Sequence, residues 1–554
     1  MKRFRFLATM LLLVSMQPGW AQNDGQLPVR LYQMGDWRSY KNCNYPTSLT
    51  NAYEYIYFGT SGGIVPYQRY GRYWEMPYTV SDGLADDFIT AVLYDESTQF
   101  LWAAHRKGLS FLTPSAETWT NIPTGSYLPW DVQIDRLGVS AAAIWATAPG
   151  GFLLKINKIL GNLQSYEHEL PTDVIWSPSM SDPLPRLDDY FITPRYRLEN
   201  RGVIIDEEFR EFPLSFFISD VREDVFGGAW GLGLLEGDRN SRSLNLEPMG
   251  PLQNFIFALA SGSNSLWMGG YLLDDDPLFN RAGLSRLILE EGTWQYYENL
   301  FIPELATYEI YDLAFQDQRL WIGTNQGVSV YHYKKNSWKR IPMTKGLSDE
   351  VINTIALEDS LAWIGTPHGL NTIKIPSLKV KRFPLTPKGP PLNILKVVAN
   401  QKRIWVGTDN GLYSVERGNH KVSHFDINGR EIGLNESVAA DFDAIAATDS
   451  LIVFAHYRSI LRYFQKTDAW ENLPYIPEIN DRDIYDMDLM DGYLWIGTDA
   501  GAFLVRLADN YFEHYTTADG LAGNHVFRII MEGDYVWFAT DKGLTQYNWG
   551  KYAL

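Results

Sequence analysis

Short runs in which apolar and polar residues alternate recur along the whole chain, separated by turn-forming pairs. VINTIAL (351–357) alternates and is β-branched, as a buried strand requires. SLAWIGT (360–366) follows an Asp-Ser turn as a second strand. GLNTIKI (369–375) is a third, after a turn in which Gly369 takes a positive φ without a Cβ penalty. KVKRF (379–383), more polar, suits an outer edge. No stretch holds a 3.6-residue period long enough to bridge parallel strands, so four-stranded antiparallel sheets are expected.

The second strand of that unit returns many times. LWIGTNQGV (320–328), LAWIGTPHGL (361–370), RIWVGTDNGL (403–412), YLWIGTDAGA (493–502) and YVWFATDKGL (535–544) share an aromatic, a small pair and a turn. Val453 stands in for the tryptophan in IVFAHYRSILRYF (452–464). Upstream, Trp267, Trp230, Trp145 and Trp102 continue the series, YFGTSGGI (57–64) starts it, and 190–212 has the shape of a further unit. About twelve units of a little over forty residues predict propeller blades, with each indole filling the wedge between neighbouring blades. The Gly-Thr pair is expected where blades converge.

Residues 28–40 read as a fourth strand without its preceding three, and the last unit, from about Val526, has only three. Pairing DWRSY (36–40) with the strand from Gly543 to Tyr547 would close the array, with Trp37 and Tyr40 expected on one face. Twelve blades exceed one ring, so two consecutive propellers are expected, seven plus five or six plus six. The irregular stretch 234–299 is the expected junction, giving rings over 22–299 and 300–554.

The unit V..I..D....LWIGT..GL..Y, with the linking elements VSDGLADDFI (80–89), MTKGLSDEVI (343–352) and TADGLAGNHVF (517–527), resembles the two-component regulator propeller repeat. The resemblance covers nearly all of the chain after its leader and is most specific in the second half. It implies two propellers of the kind found in periplasmic sensor halves of hybrid histidine kinases. The kinase and Tyr-rich sandwich of those proteins do not follow these repeats. The chain is also similar to exported repeat proteins of Bacteroidota-type bacteria, including a secretion accessory protein with two such propellers.

Composition adds an address. Lys2, Arg3 and Arg5, the apolar run Phe6–Met16 and Gly19-Trp20-Ala21 form a secretory signal peptide over 1–21. Its removal takes the formal charge from -18 to about -21, which disfavours nucleic acid and anionic membranes. The expectation is a periplasmic or secreted protein without membrane insertion or lipid anchor. Cys43, the only cysteine, excludes an intramolecular disulfide and a cysteine zinc site.

There is no GxSxG elbow, HExxH, phosphate loop or CxxC, and no cofactor is expected. His420 and His424 form an i,i+4 pair without a third ligand. Asp274, Asp275 and Asp276 are a weak calcium candidate. Three turns depart from the GT-x-x-G form and carry polar, cationic and aromatic groups at loop tips, where rigid scaffolds bind. They place His105, Arg106 and Lys107, then His368, then His456, Tyr457 and Arg458 as candidate ligand-binding residues. Three readings stand: a non-catalytic binding, sensing or assembly scaffold for a glycan, peptide or protein; a polysaccharide lyase or hydrolase; and a structural subunit of a cell-envelope secretion assembly.

Overall fold

The computed structural model describes residues 33 and 35–552, except 117, 167–169, 181, 186, 188–189, 193–194, 221, 273–280 and 388. The leader and the Asp274–Asp276 run lie outside the described residues. What is described is almost wholly β-structure, arranged as consecutive propellers of antiparallel sheets. The one α-helical turn among the described residues is Pro477–Asn480.

A representative blade runs Thr354–Leu357, Leu361–Thr366, Gly369–Lys374 and Lys379–Phe383, in that order across the sheet. The Gly-Thr pair that ends each second strand has two separate tasks. The threonine hydroxyl closes the turn. Thr324 Oγ1 donates to the Gly327 carbonyl at 2.9 Å and accepts from the Gln326 N–H at 3.0 Å. Thr366, Thr408, Thr498 and Thr540 repeat that pattern. The glycine admits the next blade, since a Cβ at Gly323 would lie 2.8 Å from Ile352 and one at Gly497 2.5 Å from the Val526 carbonyl. Trp102, Trp145, Trp267, Trp321, Trp363, Trp405, Trp495 and Trp537 are all buried, as the wedge-filling role requires.

Seven sheets form the second ring. Their first strands are Ile256–Ser261, Ile310–Gln316, Thr354–Leu357, Ile394–Ala399, Ala444–Ala447, Ile484–Met490 and Val526–Glu532. Each packs on the next, and Val526–Glu532 returns to Ile256–Ser261. Trp37–Tyr40 supplies the fourth strand of the last sheet, antiparallel to Gly543–Tyr547, with Trp37 opposite Tyr547 and Tyr40 opposite Leu544. Trp37 and Tyr40 point to opposite faces, not one. Trp37 stacks on Tyr547 with centroids 3.9 Å apart, whereas Tyr40 packs on Trp294 and Trp537. An odd separation in a period-two strand dictates this.

The first ring begins at Pro46–Asn51 and continues through the sheets led by Ile89–Asp95, Arg136–Val139 and Glu211–Ser219. Between the third and the last, the 175–179 segment pairs with Arg136–Val139 on one side and bonds to Leu49 on the other. Three sequence expectations change here. The sheet over 256–297 packs with sheets of the second half, so the passage between rings falls near residue 250 and not at 299. The unit expected at 190–212 forms no blade, because Arg197–Glu199 and Val203–Ile205 extend the sheet of Glu211–Ser219. Phe226, not Trp230, occupies the wedge position. The turn from Ala229 to Gly233 is one residue longer than its counterparts, which shifts Trp230 into the turn against Tyr45.

The chain crosses between the rings twice, at 41–45 and again near 249–254, and the two crossings hold each other. The Cys43 N–H bonds to the Met249 carbonyl at 3.0 Å, and Asn42 Nδ2 to the Leu252 carbonyl at 2.6 Å. Cys43 is fully buried there, and burial pushes its thiol up to about 12, so it is inert.

Candidate ligand-binding face

In each blade the turn between second and third strands shares a face with the loop joining that blade to the next. The three departing turns fall on this face, two of them in the second ring and one in the first, but their residues have different roles. His105 and His456 occupy the position that threonine fills elsewhere, at the end of the second strand. His105 does threonine's work. Its Nδ1 accepts the Lys107 N–H at 3.2 Å and its Nε2 meets Ser110 Oγ at 2.7 Å. It is 1% exposed, and burial lowers its pKa to about 4, so it is a neutral structural group. Arg106 lies 4.0 Å over the Phe88 ring and Lys107 donates to the Ala85 carbonyl, so both pack on the adjoining loop.

His368 is exposed and paired through Nδ1 with Asp349. His420 and His424 do not converge. His424 is buried, stacked 4.0 Å from Tyr413, and bonded through both nitrogens to the Gly433 and Asn410 carbonyls. Among the described residues no group of His, Cys, Asp and Glu is placed to hold a metal ion.

The third departing turn lies in an open cleft of about 790 Å³, lined by His456, Tyr457 and Arg458 together with Asp409, Asp441, Asp443, Asp481, Asp483 and Tyr485. Tyr457 is 78% exposed at its rim. Arg458 reaches Asp481 at 3.4 Å, and Tyr475 donates to the same carboxylate at 2.7 Å. Partial desolvation by the cleft walls, with Asp441 and Asp483 beside it, pushes the solvent-accessible Asp443 up to about 6. Burial lowers His456, which stacks 4.7 Å from Phe442 and is neutral at neutral pH. The cleft thus offers one exposed aromatic, two arginines and an excess of carboxylates.

Toward the ring axis lies a feature that the turn motifs did not signal. The first strands carry a register shift after their opening residue, as between Ile310 and Asp312 or Val526 and Arg528. The residue in that bulge is aromatic in four consecutive blades: Phe257, Tyr311, Tyr485 and Phe527. The dipeptides IF, IY, IY and VF at the start of these strands are the sequence signal that could have found them. Deeper in the axis, Lys396 bonds the buried Asp486 at 2.7 Å and Arg528 bonds the buried Asp312 at 3.1 Å.

No family model and no curated protein matches the chain. Solved structures do. PorZ of Porphyromonas gingivalis, described as an essential surface component of the type-IX secretion system, matches with a TM-score of 0.59 at 12% identity over 93% of this chain and 87% of that one. The extracellular domain of a candidate hybrid two-component system of B. thetaiotaomicron matches with a TM-score of 0.43 at 13% identity, over 91% of this chain and 70% of that one. A second such domain from B. thetaiotaomicron gives 0.40 at 15% identity, over 90% and 75%. At these identities the likeness is one of fold, and it agrees with the propeller family that the repeat motifs resemble.

Proposed function

We propose that the protein is an exported, non-catalytic propeller scaffold that binds a glycan, peptide or protein partner through the loop-lined face of its second ring. The cleft at His456, Tyr457 and Arg458 carries this reading: exposed aromatic and charged groups converge there on rigid strands. The match in fold to PorZ, over most of both chains, supports the assembly form of the reading, in which the partner is another envelope component. Export rests on the signal-peptide pattern of 1–21, and the intact mass of the protein from its host should lack that segment and carry no lipid.

The test is a binding screen against envelope extracts, glycans and peptides, with Tyr457→Ala and Arg458→Ala beside the parent protein. A partner should be retained by the parent and lost in the variants at unchanged melting temperature. Retention by both variants would move the site elsewhere. A hydrolase is the second reading, because Asp443, beside Asp441 and Asp483, is held protonated further toward neutral pH, as a general acid would be. Release of reducing ends from a polysaccharide, abolished by Asp443→Asn, would favour it.

A further inference from the structure

The bulged aromatics of the second ring form a connected arc. Phe257 lies 5.4 Å from Phe527 and 6.3 Å from Tyr311, and Tyr485 lies 5.2 Å from Phe527. Phe255 and Tyr271 extend it from the same face, with centroids 4.5 Å apart and Phe255 4.9 Å from Phe527. Five of the six are half-buried and Phe527 is 9% exposed, so ring surface remains open at the axial mouth. Over the other three blades the aromatics stop: Leu395 occupies the bulge in one, Asn353 bonds to Asn393 beside it, and Asp443 precedes the first strand of the third.

The charged groups that act on the tyrosines of the arc are carboxylates, while the cations deeper in the axis, Arg528 and Lys396, are already paired with Asp312 and Asp486. The groups acting on Tyr271, Tyr311 and Tyr485 are Glu309, Asp483, Asp499 and Asp541. Glu309 accepts from the Tyr311 hydroxyl at 2.8 Å. Two buried acceptors in the neighbouring turns, Asp499 Oδ1 and Asn325 Oδ1, have no hydrogen-bond partner. The cations of the adjoining loops, Arg482 and Lys542, are exposed. Electron-rich ring faces, carboxylates and acceptors without donors complement an ammonium or guanidinium group. The mouth also adjoins the cleft, whose lining includes Asp483 and Tyr485 and continues through Asp481, Asp443, Asp441 and Asp409. A chain with several spaced cations fits that extended acidic track better than a single small ion.

We infer that the axial mouth of the second ring is a docking site for a basic, extended peptide segment of a partner protein, with one lysine or arginine side chain seated in the aromatic arc. The inference rests on the reading that this face binds a partner, and it names that partner's chemistry. The remaining cations of the segment lie over the cleft carboxylates.

The probe is a fluorescein-labelled octapeptide of alternating lysine and glycine, titrated with the mature protein and read by anisotropy. Binding is expected at moderate salt, with none for the glutamate–glycine counterpart. Phe257→Leu and Tyr311→Leu should each weaken it about tenfold at unchanged melting temperature, in line with about 1–2 kcal/mol for a desolvated cation–π contact. Absence of binding overturns the inference, as does binding that both leucine variants retain, which would mean diffuse surface charge. Spermidine displacing the peptide at equal concentration would make the occupant a free polyamine and overturn it too. Loss in Tyr457→Ala but not in the leucine variants would put the peptide in the cleft, refuting the axial mouth while leaving the binding face standing.

Discussion

Trp363 illustrates which side chains announce their role and which do not. It is 1% exposed, and its Nε1 donates to Glu358 at 2.6 Å. Trp363→Ala should therefore cost about 3–5 kcal/mol in chemical denaturation, from lost burial and the cavity left behind. It should leave ligand binding intact in what remains folded. A variant that keeps its midpoint but loses a ligand would refute the packing role. The tryptophans could be read directly because a large apolar residue at a fixed register has one physical use in a blade. The histidines could not. His105 and His456 look like loop-tip chemistry in sequence, yet both sit in the threonine slot, and that slot is defined only by the turn geometry. Asp443 is likewise illegible in sequence, since its shift arises first from desolvation in the cleft and then from Asp441 and Asp483, which the fold holds beside it. Its folded pKa of about 6 lies above the ordinary carboxylate value. The stability linked to it is thus full below about pH 4 and is lost as pH rises through 6. Asp443→Asn should raise the unfolding free energy at pH 7.5 by about 1 kcal/mol after screening in the open cleft, and change nothing at pH 3.5, as chemical denaturation at the two pH values would show.

Strands and turns were read well where the repeat kept its length and badly where it did not. The Gly-Thr turns of the second ring follow one pattern, so their strands align by inspection. A single extra residue between Ala229 and Gly233 sufficed to put Trp230 in a series where Phe226 belongs. The strands at 197–205 were read as a blade because their alternation is genuine. They join an existing sheet instead, a pairing choice that periodicity does not encode. The terminal strand is the clearest success. Trp37–Tyr40 pairs along its length with Gly543–Tyr547, and Asp36 receives hydrogen bonds from Lys551 and Tyr552. Removing residues 22–40 should expose the edge of Gly543–Tyr547 and uncover Tyr547, on which Trp37 stacks. A lower melting temperature together with oligomers in size-exclusion chromatography is expected. A monomer of unchanged stability would show that the second ring does not depend on this strand.

The two rings share one chain in a way that no repeat count reveals. The chain begins in the last blade of the second ring, leaves through 41–45 to build the first ring, and returns near 250 to complete the second. This follows from the fourth strand being supplied by the N-terminus, but the return point lies in a stretch whose irregularity hid it. The junction is not a loose tether. Lys41 pairs with Asp87 of the first ring and donates to the Ala522 carbonyl of the second at 3.2 Å. Ser81 Oγ reaches the Gly520 carbonyl at 2.7 Å, so two equivalent linking loops, one from each ring, meet there. On the other side Glu298 is held between Arg281 at 2.6 Å and Arg210 at 2.7 Å, while Arg281 also donates to the Gly231 carbonyl at 2.9 Å. Arg281 and Glu298 are both buried. Their attraction holds Glu298 ionised despite the burial. Because these groups are desolvated, removing one partner strands the others, at a cost of about 3–5 kcal/mol. The rings should therefore melt as one unit in calorimetry. Glu298→Ala should divide that single transition into two, the first ring unfolding earlier, since it has fewer regular blades to hold it once Arg210 and Arg281 lose their shared carboxylate. A single transition at the parent temperature in that variant would show that the double crossing at 41–45 and 249–254 couples the rings without the ion cluster. The cluster would then serve only to neutralise the buried Arg281.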